Sequence, residues 1–324
     1  MDRPPYESLL PDTVLTAIEA CGVATTGGML ALNSYENRVY QIATDDGFVV
    51  AKFYRPDRWS DESILEEHAF SLELAEREIP VVAPMVLEGE TLHEHAGFRY
   101  SIFPRRGGRW PELGTTDERL WMGRFLGRLH AVGAAESFRH RPQLSMDRFG
   151  YESVDALLDS GFIPEHLIES YARITELLLE RMEHELDEVG EVTLLRIHGD
   201  CHPGNVLWTD AGPHFVDLDD CMSGPAIQDL WLFLSGSADE MRRQLADLVE
   251  GYEQFHSFQY GELRLIETLR TLRMIHYAAW IARRWTDPAF PRAFPWFAET
   301  KYWEDHVLAL QEQLAALDEP ISLG

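Results

Sequence analysis

Three polar side chains occur at spacings that could support phosphoryl transfer. Asp200 and Asn205 lie five positions apart, and Asp217 follows twelve positions later in an acidic segment. In such a reaction a carboxylate takes the proton of an acceptor hydroxyl, and two further oxygen ligands hold Mg²⁺ on the nucleotide phosphates. The order of the residues therefore predicts that Asp200 is the catalytic base and that Asn205 and Asp217 bind Mg²⁺. We count Asp200 and Asp217 as catalytic residues.

Two other interpretations of this region explain less of the sequence. His198, Asp200 and His202 stand at alternate positions and could converge on one metal ion, as in a metal-dependent hydrolase. That interpretation gives Asn205 and Asp217 no role. The second alternative is a solvated acidic turn, but strand-like apolar residues flank the polar groups on both sides.

Lysine usage gives an independent indication. The chain has 28 Lys and Arg residues together, but only Lys52 and Lys301 are lysines. Lys52 lies in the strand-like segment 48–54, where a compact ammonium could bind phosphate oxygens as a point charge. The alternative is a surface lysine that survives by chance, and the scarcity of lysine weakens that alternative.

A helix is predicted over residues 60–77, after the Lys52 strand. Ser60 or Asp61 provides a plausible cap, acidic residues follow in the first turn, and apolar residues recur at helical spacing. Glu66 and Glu67 on this helix are both candidates to orient Lys52. A glutamate on a helix is usually solvated, so this role depends on the lysine upstream.

The elements divide the chain into a strand-rich part and a helical part. We predict an α+β fold with a small, mostly antiparallel β lobe over residues 1–103 that contains one main helix. A larger helical lobe over residues 104–324 follows a hinge near residues 102–108. Strands are predicted over 29–33, 38–44, 48–54, 81–87 and 98–103, and a β-hairpin over 206–217. Helices are predicted over 12–20, 60–77, 118–130, 164–186, 226–234, 241–255, 262–285 and 302–317, with a proline-rich loop around Pro288, Pro291 and Pro295.

At these positions the chain resembles the aminoglycoside phosphotransferase and choline kinase branch of the protein-kinase-like fold. Within that branch it is similar to the bacterial stress response kinases, a Ser/Thr kinase family. The motifs that carry the resemblance are residues 32–40, the Lys52 strand, Phe103-Pro104, residues 196–208 and residues 215–236.

The resemblance implies a two-lobed protein-kinase-like fold and an ATP-dependent phosphotransferase. We expect a Ser/Thr protein kinase of the stress response type, which transfers the γ-phosphate to a hydroxyl with Mg²⁺. The alternative is a small-molecule kinase acting on an aminoglycoside, choline or an amino alcohol. A catalytically inactive nucleotide sensor is disfavoured, because the residues that transfer would need are all present: Lys52, Asp200, Asn205 and Asp217.

The resemblance also implies residues that contact the nucleotide. It implies that Lys52 binds the α- and β-phosphates and that Glu67, rather than Glu66, is the partner of Lys52. It also implies that Ser34 contacts a phosphate. At the hinge, the backbone from Ile102 to Pro104, which includes Phe103, is expected to face the adenine edge. Pro104 has no N–H, so Phe103 is the expected donor.

Two departures from eukaryotic protein kinases are visible. Residues 33–39 replace the Gly-rich loop, and only residues 220–226 separate the metal-binding segment from the next helix. Regulation by activation-loop phosphorylation is therefore not expected. The resemblance assigns structural roles to His198 and Asp229. The roles of three further residues stay open between ligand contact and loop support or solvation: His202, Asp219 and Asp220.

Composition limits the partners and the compartment. With 324 residues, 45% of them hydrophobic, the chain can bury a large core. The net charge of −27 disfavours nucleic acid and anionic membranes as partners, and it fits either a cationic substrate or adaptation to a salty cytoplasm. The resemblance implies ATP and a hydroxyl acceptor as partners, and we expect a cytoplasmic monomer. Residues 1–5 lack the features of a signal peptide. Cys201 and Cys221 flank the predicted metal loops; apolar packing is favoured over a redox-sensitive site.

Overall fold

The N-terminal part of the chain is built around an antiparallel sheet. The computed structural model describes residues 4–319 and 323; the predicted absence of a signal peptide thus rests in part on residues 1–3, outside this range. The five strands follow the order β1-β2-β3-β5-β4 across the sheet. Their bounds are β1 Thr25–Ala31, β2 Arg38–Thr44, β3 Gly47–Phe53, β4 His93–His95 and β5 Phe98–Pro104.

Two helices pack with this sheet. Helix α1 spans Pro11–Ala20 and contributes Val14 and Ile18 to an apolar cluster with strand residues such as Ile42. Helix α2 spans Asp61–Glu76 and begins at Ser60, whose hydroxyl accepts the N–H of Ser63 at 3.2 Å and so caps the helix.

The rest of the chain is mostly helical. Its longer helices are α3 Thr116–Gly133, α4 Glu152–Asp159, α5 Ile168–Val189, α7 Ala238–Tyr252, α8 Leu265–Arg284 and α10 Thr300–Ala316. Two short helices are α6 Ile227–Trp231 and α9 Ala289–Ala293. Two small antiparallel ladders join these helices: β6 Leu195–Ile197 with β9 Met222–Gly224, and β7 Val206–Thr209 with β8 Gly212–Phe215. No helix of the described part of the chain is long and apolar enough to cross a membrane.

The predicted fold class is confirmed, with local corrections. The prediction of a strand over 81–87 was wrong: Pro84 supplies no N–H there, and the segment makes only isolated backbone bonds. Strand β4 at the edge of the sheet takes its place. The proline-rich loop contains the short helix α9, and α4 had not been predicted. The division at residues 103 and 104 stays a prediction.

Candidate active site

The loop after β6 crosses the loop after β8 at very short range. Gly199 adopts φ +84°, and a Cβ at this position would lie 2.3 Å from the backbone oxygen of Asp220. Only glycine accommodates both this left-handed conformation and the close contact. The crossing brings residues 199–205 beside residues 217–220, and so brings the two acidic clusters of the sequence together.

Buried polar side chains fix the backbone of the first loop. Asp229 on α6 accepts the backbone N–H groups of His198 and Gly199 at 2.7 and 2.8 Å. Gln228 donates to the Gly199 carbonyl at 2.9 Å. His198 donates from Nε2 to the carbonyl of Val216 at 3.0 Å, and thereby ties the two loops to each other. Through these bonds His198 and Asp229 hold the geometry of the loop, as their predicted structural roles require.

Asp200 points its carboxylate into the cleft between the two parts of the chain. The Asn205 amide donates to the Asp200 backbone oxygen at 2.9 Å, which orders the turn between the two residues. Arg273 of α8 donates to Asp200 Oδ1 at 2.6 Å, and His202 Nε2 lies 3.4 Å from Oδ2. Burial alone would raise the pKa of Asp200, but His202 and Arg273 hold that pKa well below its usual value. Asp200 is therefore an ionised carboxylate.

Asp217 lies directly opposite the lysine of β3. Its backbone is left-handed, with φ +60°, and its side chain is 51% exposed. Lys52 Nζ, in contrast, is buried and lies 3.0 Å from Asp217 Oδ1 and 3.2 Å from Asp219 Oδ1. Burial would lower the pKa of Lys52, but the carboxylates of Asp217, Asp219 and Glu67 together raise it well above its usual value.

The structure brings Glu67, and not Glu66, to Lys52. Glu67 is 2% exposed, and its Oε1 lies 3.6 Å from Lys52 Nζ. Burial raises the pKa of Glu67 to about 7, against the opposing charge of Lys52. Glu66 instead accepts the backbone N–H groups of residues 139–141 at 2.7 to 2.8 Å. Glu67 thus contacts the lysine of the candidate site, whereas Glu66 holds the backbone of residues 139–141.

Asp219 is buried and not solvated, and its Oδ2 atom is held by hydrogen bonds. It is 2% exposed, accepts a hydrogen bond from Arg58, and accepts another from Asn37 at 3.0 Å. Arg58 also donates to Asp220 at 2.5 Å. Arg58 lies after β3, so this cluster links the sheet to the loop that carries Asp217.

A cavity of about 580 Å³ contains four of the eight predicted site residues. Ser34, Asp200, Asn205 and Asp217 line it, and α8 forms its opposite wall. That wall and the residues beside it contribute Leu144, Phe149, Leu269, Leu272, Arg273, His276, Tyr277 and Trp280.

The two hinge residues do not line this cavity. The Ile102 carbonyl accepts the N–H of Met85 at 2.7 Å, and Ile102 therefore turns its backbone groups away from β3. The N–H and C=O groups of successive residues point to opposite sides along a strand, so the Phe103 N–H points toward β3. This direction does not favour the predicted hydrogen bond from Phe103 to adenine. The Phe103 ring lies 6.0 Å from Lys52 Nζ, so its side chain faces the cleft. The roles of both residues at the nucleotide stay predictions.

An ionic cluster joins the strand-rich part to the helical part, beside Ser34. We call it the interlobe cluster; its members are Glu36, Arg38, Arg55, Trp280, Arg284 and Asp287. Asp287 accepts bonds from Arg38 at 3.0 Å and from Arg55 at 2.6 Å. Glu36 accepts from Trp280 at 2.5 Å and from Arg284 at 3.0 Å. The loop that carries Ser34 is therefore attached directly to the C-terminal end of α8.

The donor set around Asp217 suits Mg²⁺. Among the residues described, no group of three His, Cys, Asp or Glu side chains could hold a metal ion. Asn205, however, uses its amide nitrogen on Asp200, which leaves the amide oxygen available, and the Asp217 carboxylate is half exposed. One carboxylate and one amide oxygen match an ion that keeps several waters and binds nucleotide phosphates.

The cysteines beside the loops are buried. Cys201 and Cys221 are both 0% exposed. Burial raises the pKa of the Cys221 thiol to about 12 and that of Cys201 well above its usual value. Because oxidation requires an accessible thiolate, apolar packing explains these residues better than redox sensing.

Sequence reasoning missed four site residues: Glu36, Asn37, Arg58 and Arg273. Arg273 alone had a usable signal. It interrupts an apolar face of α8 formed by Leu269 and Leu272, and a charge in such a face often marks a site. The other three each contact a residue more than 160 positions away along the chain, and no local pattern points to these contacts.

Comparison with known proteins decides the family. The model of the "Phosphotransferase enzyme family" matches residues 29–266, which is most of the chain. The chain belongs to this phosphotransferase family. It is also 44% identical to stress response kinase A of Escherichia coli O157:H7, over 97% of the chain and 95% of the relative. The same values hold for the Salmonella typhimurium protein named serine/threonine protein kinase RdoA.

Solved structures agree on the fold of this phosphotransferase. The amicoumacin kinase hAmiN, solved in complex with AMP-PNP, Ca²⁺ and Ami, has a TM-score of 0.71 to this chain. The alignment covers 96% of this chain and 95% of hAmiN at 17% identity, so it shows a shared fold. With the family match and the kinase relatives, it identifies the chain as a kinase with a protein-kinase-like fold.

Proposed function

We propose that the protein is an ATP-dependent, Mg²⁺-requiring Ser/Thr protein kinase. One observation carries this proposal. Asp200, Asn205 and Asp217 line a single cavity, and Lys52 bonds to Asp217 at its edge. A base, two oxygen ligands and a buried ammonium are the groups that phosphoryl transfer from a nucleotide requires. The 44% identity to the named stress response kinases supports the same conclusion.

Each residue has a role in the proposed reaction. Asp200 orients the acceptor hydroxyl and takes its proton as the oxygen attacks the γ-phosphorus. Lys52, oriented by Glu67, binds phosphate oxygens, and Ser34 offers a hydroxyl and an N–H from the loop above. Asn205 and Asp217 would hold Mg²⁺, which when bound neutralises charge on the phosphates. Ile102 and Phe103 would border the adenine at the hinge.

The charges around the cavity favour a peptide acceptor over a cationic alcohol. Carboxylates are one of the groups that recognise ammonium ligands, and a carboxylate that already has a cationic partner is less available for this. Among the residues described, every carboxylate that lines the cavity already has such a partner within 3.2 Å. The pairs are Glu36 with Arg284, Asp200 with Arg273, Asp217 and Asp219 with Lys52, and Asp220 with Arg58.

A small-molecule kinase is the second candidate. A cavity of about 580 Å³ has the size of an ordinary small-molecule site, which favours this alternative. The paired carboxylates favour an acceptor without amino groups in that case as well. The two candidates therefore differ in acceptor size, and both use the same phosphoryl-transfer residues.

An acceptor screen separates the candidates. The purified protein would be incubated with γ-labelled ATP and Mg²⁺, alone, with generic protein substrates, and with aminoglycosides and amino alcohols. We expect label on protein Ser or Thr and none on the amino alcohols. Transfer to an amino alcohol and not to protein would replace the first candidate with the second. Loss of label transfer when Mg²⁺ is chelated tests the metal requirement.

Lys52→Arg should lower the specificity constant for phosphoryl transfer at least tenfold. The guanidinium keeps the charge but cannot take the place of a compact ammonium among three carboxylates in a buried site. One ionic contact of this kind is worth on the order of 1.5–3 kcal/mol. The measurement is steady-state phosphoryl transfer at matched thermal stability.

Lys301→Arg is the matched control. Lys301 is exposed and pairs with Asp305 one helical turn away on α10, so its replacement should have no effect on transfer. If the two variants have equal activity, the special requirement for lysine at position 52 is wrong.

A further inference from the structure

Helix α8 supplies a cation to the predicted catalytic base. Arg273 lies 73 residues from Asp200 along the chain, yet its Nη1 donates to Asp200 Oδ1 at 2.6 Å. Its neighbours on the cavity wall include Leu269, Leu272 and His276. Helix α8 places Arg273 in this apolar face, and the Arg273 side chain reaches across the cavity to the loop after β6.

The Asp200 carboxylate has one strong contact and two weak ones. The Arg273 bond to Oδ1 is short and charge-assisted. On the other oxygen, Oδ2, the Asn205 amide and His202 Nε2 both lie at 3.4 Å, near the limit for a hydrogen bond. Arg273 therefore fixes the rotation of the carboxylate, and Oδ2 is the oxygen that has no short contact.

Stability does not explain this pair. The Arg273 side chain is 40% exposed and that of Asp200 is 26% exposed. Ion pairs in contact with solvent stabilise a fold by about 0–1 kcal/mol. A carboxylate that must accept a proton in a defined direction, in contrast, is sensitive to misplacement, and an error of about 1 Å can cost about 10²-fold in rate.

Arg273 is the charged residue on the part of the cavity wall that α8 forms. His276, one turn farther along α8, donates to or accepts from Ser153 through Nδ1. Burial lowers the pKa of His276 to about 3, and nearby arginines lower it further in the same direction. His276 is therefore neutral and cannot replace the guanidinium.

We propose that Arg273 is a positioning residue for the catalytic base. It holds Oδ1 of Asp200 so that Oδ2 faces the acceptor hydroxyl. In the reaction the hydroxyl proton passes to Oδ2, the acceptor oxygen forms a bond to the γ-phosphorus, and the bond from that phosphorus to the β-phosphate oxygen breaks. The inference rests on the proposed function, in which Asp200 is the base. It adds a residue from α8, outside the loops that contain the sequence motifs.

A double-mutant cycle tests the proposal. The variants are Arg273→Gln, Asp200→Asn and the two combined, assayed with Mg²⁺ and ATP on the protein substrate found in the screen or, without one, by ATP hydrolysis. We expect Arg273→Gln to lower kcat by about 10- to 100-fold and to leave the KM for ATP within about twofold. In the Asp200→Asn background the same change should cost less than about threefold, because the group through which Arg273 acts is already lost.

Two further variants keep the test specific. Arg273→Lys should recover part of kcat, since an ammonium can still donate to Oδ1. Arg270→Gln is the control: Arg270 lies one turn earlier on α8, pairs with Glu267 at 3.2 Å and does not line the cavity. It should retain the activity of the unmodified protein. Thermal unfolding midpoints of all variants show whether any loss of rate reflects loss of folded protein.

The outcomes separate the two levels of inference. Equal losses from Arg273→Gln in both backgrounds, or an unchanged or raised kcat, would overturn the role of Arg273 and leave the proposed function intact. Full activity of Asp200→Asn alone would remove the base itself and the proposed function with it.

Discussion

Replacement of Asp200 with Asn should leave nucleotide binding intact and lower phosphoryl transfer by about 10²–10⁴-fold. Asparagine has the same shape, and its side-chain oxygen can still accept the bond that Arg273 donates at 2.6 Å. The variant cannot take a proton from the acceptor hydroxyl. The loop should keep its conformation, because Asp229 and Gln228 fix its backbone independently of Asp200.

Two measurements check this result. Single-turnover transfer from labelled ATP gives the loss of rate, and calorimetric titration with Mg²⁺ and ATP gives the affinity. We expect the affinity to stay within a few-fold of the unmodified protein. Turnover at the original rate would show that Asp200 is not the base and would direct attention to His202.

Asp217→Ala should abolish Mg²⁺-dependent binding of ATP. Mg²⁺ that keeps several waters depends on its charged protein ligand, and Asn205 alone offers only a neutral oxygen. Asp219 is a poorer ligand, because it is buried, Arg58 and Asn37 bind its Oδ2 atom, and its Oδ1 atom faces Lys52 at 3.2 Å. The fold should be retained, since Asp217 is half exposed.

The loss should be confined to the metal-dependent part of the affinity. Titrations with and without Mg²⁺ should differ for the unmodified protein and coincide for Asp217→Ala. Asp210→Ala, in the exposed turn between β7 and β8, is the control and should behave as the unmodified protein does. Undiminished affinity for Mg²⁺ and ATP in Asp217→Ala would contradict the assignment.

The sequence predicted those parts of the site that depend on short segments. Asp200, Asn205 and Asp217 are separated by one loop and one hairpin, and both are encoded locally by Gly199, the prolines and glycines of the turns, and alternating apolar residues. Lys52 was predictable because a strand flanked by a clear turn fixes its position. The order of strands β2 and β3 followed from the same turn, and their register pairs Val39 with Lys52.

Contacts between distant segments could not be predicted in this way. Arg58 meets Asp219, and Glu36 meets Trp280, only after the two parts of the chain pack together. Nothing within a few residues of either side chain indicates its partner. The error at residues 81–87 has another cause: the apolar pattern resembles a strand, but the lost N–H of Pro84 prevents a continuous ladder there. The missing N–H of one proline thus outweighed the strand-like periodicity of residues 81–87.

The interlobe cluster has a consequence for the separability of the two halves of the chain. Arg38 and Arg55 belong to the first half, and their buried acceptor Asp287 belongs to the second. If the chain were cut near residue 103, the first fragment would keep Arg38 and Arg55 without Asp287. The second fragment would keep Asp287 without these two arginines. Removing one member of a buried pair costs about 3–5 kcal/mol. The two parts are therefore not freely interchangeable modules, and a chimera with a related protein should be destabilised when the second parent lacks the charge that completes a pair.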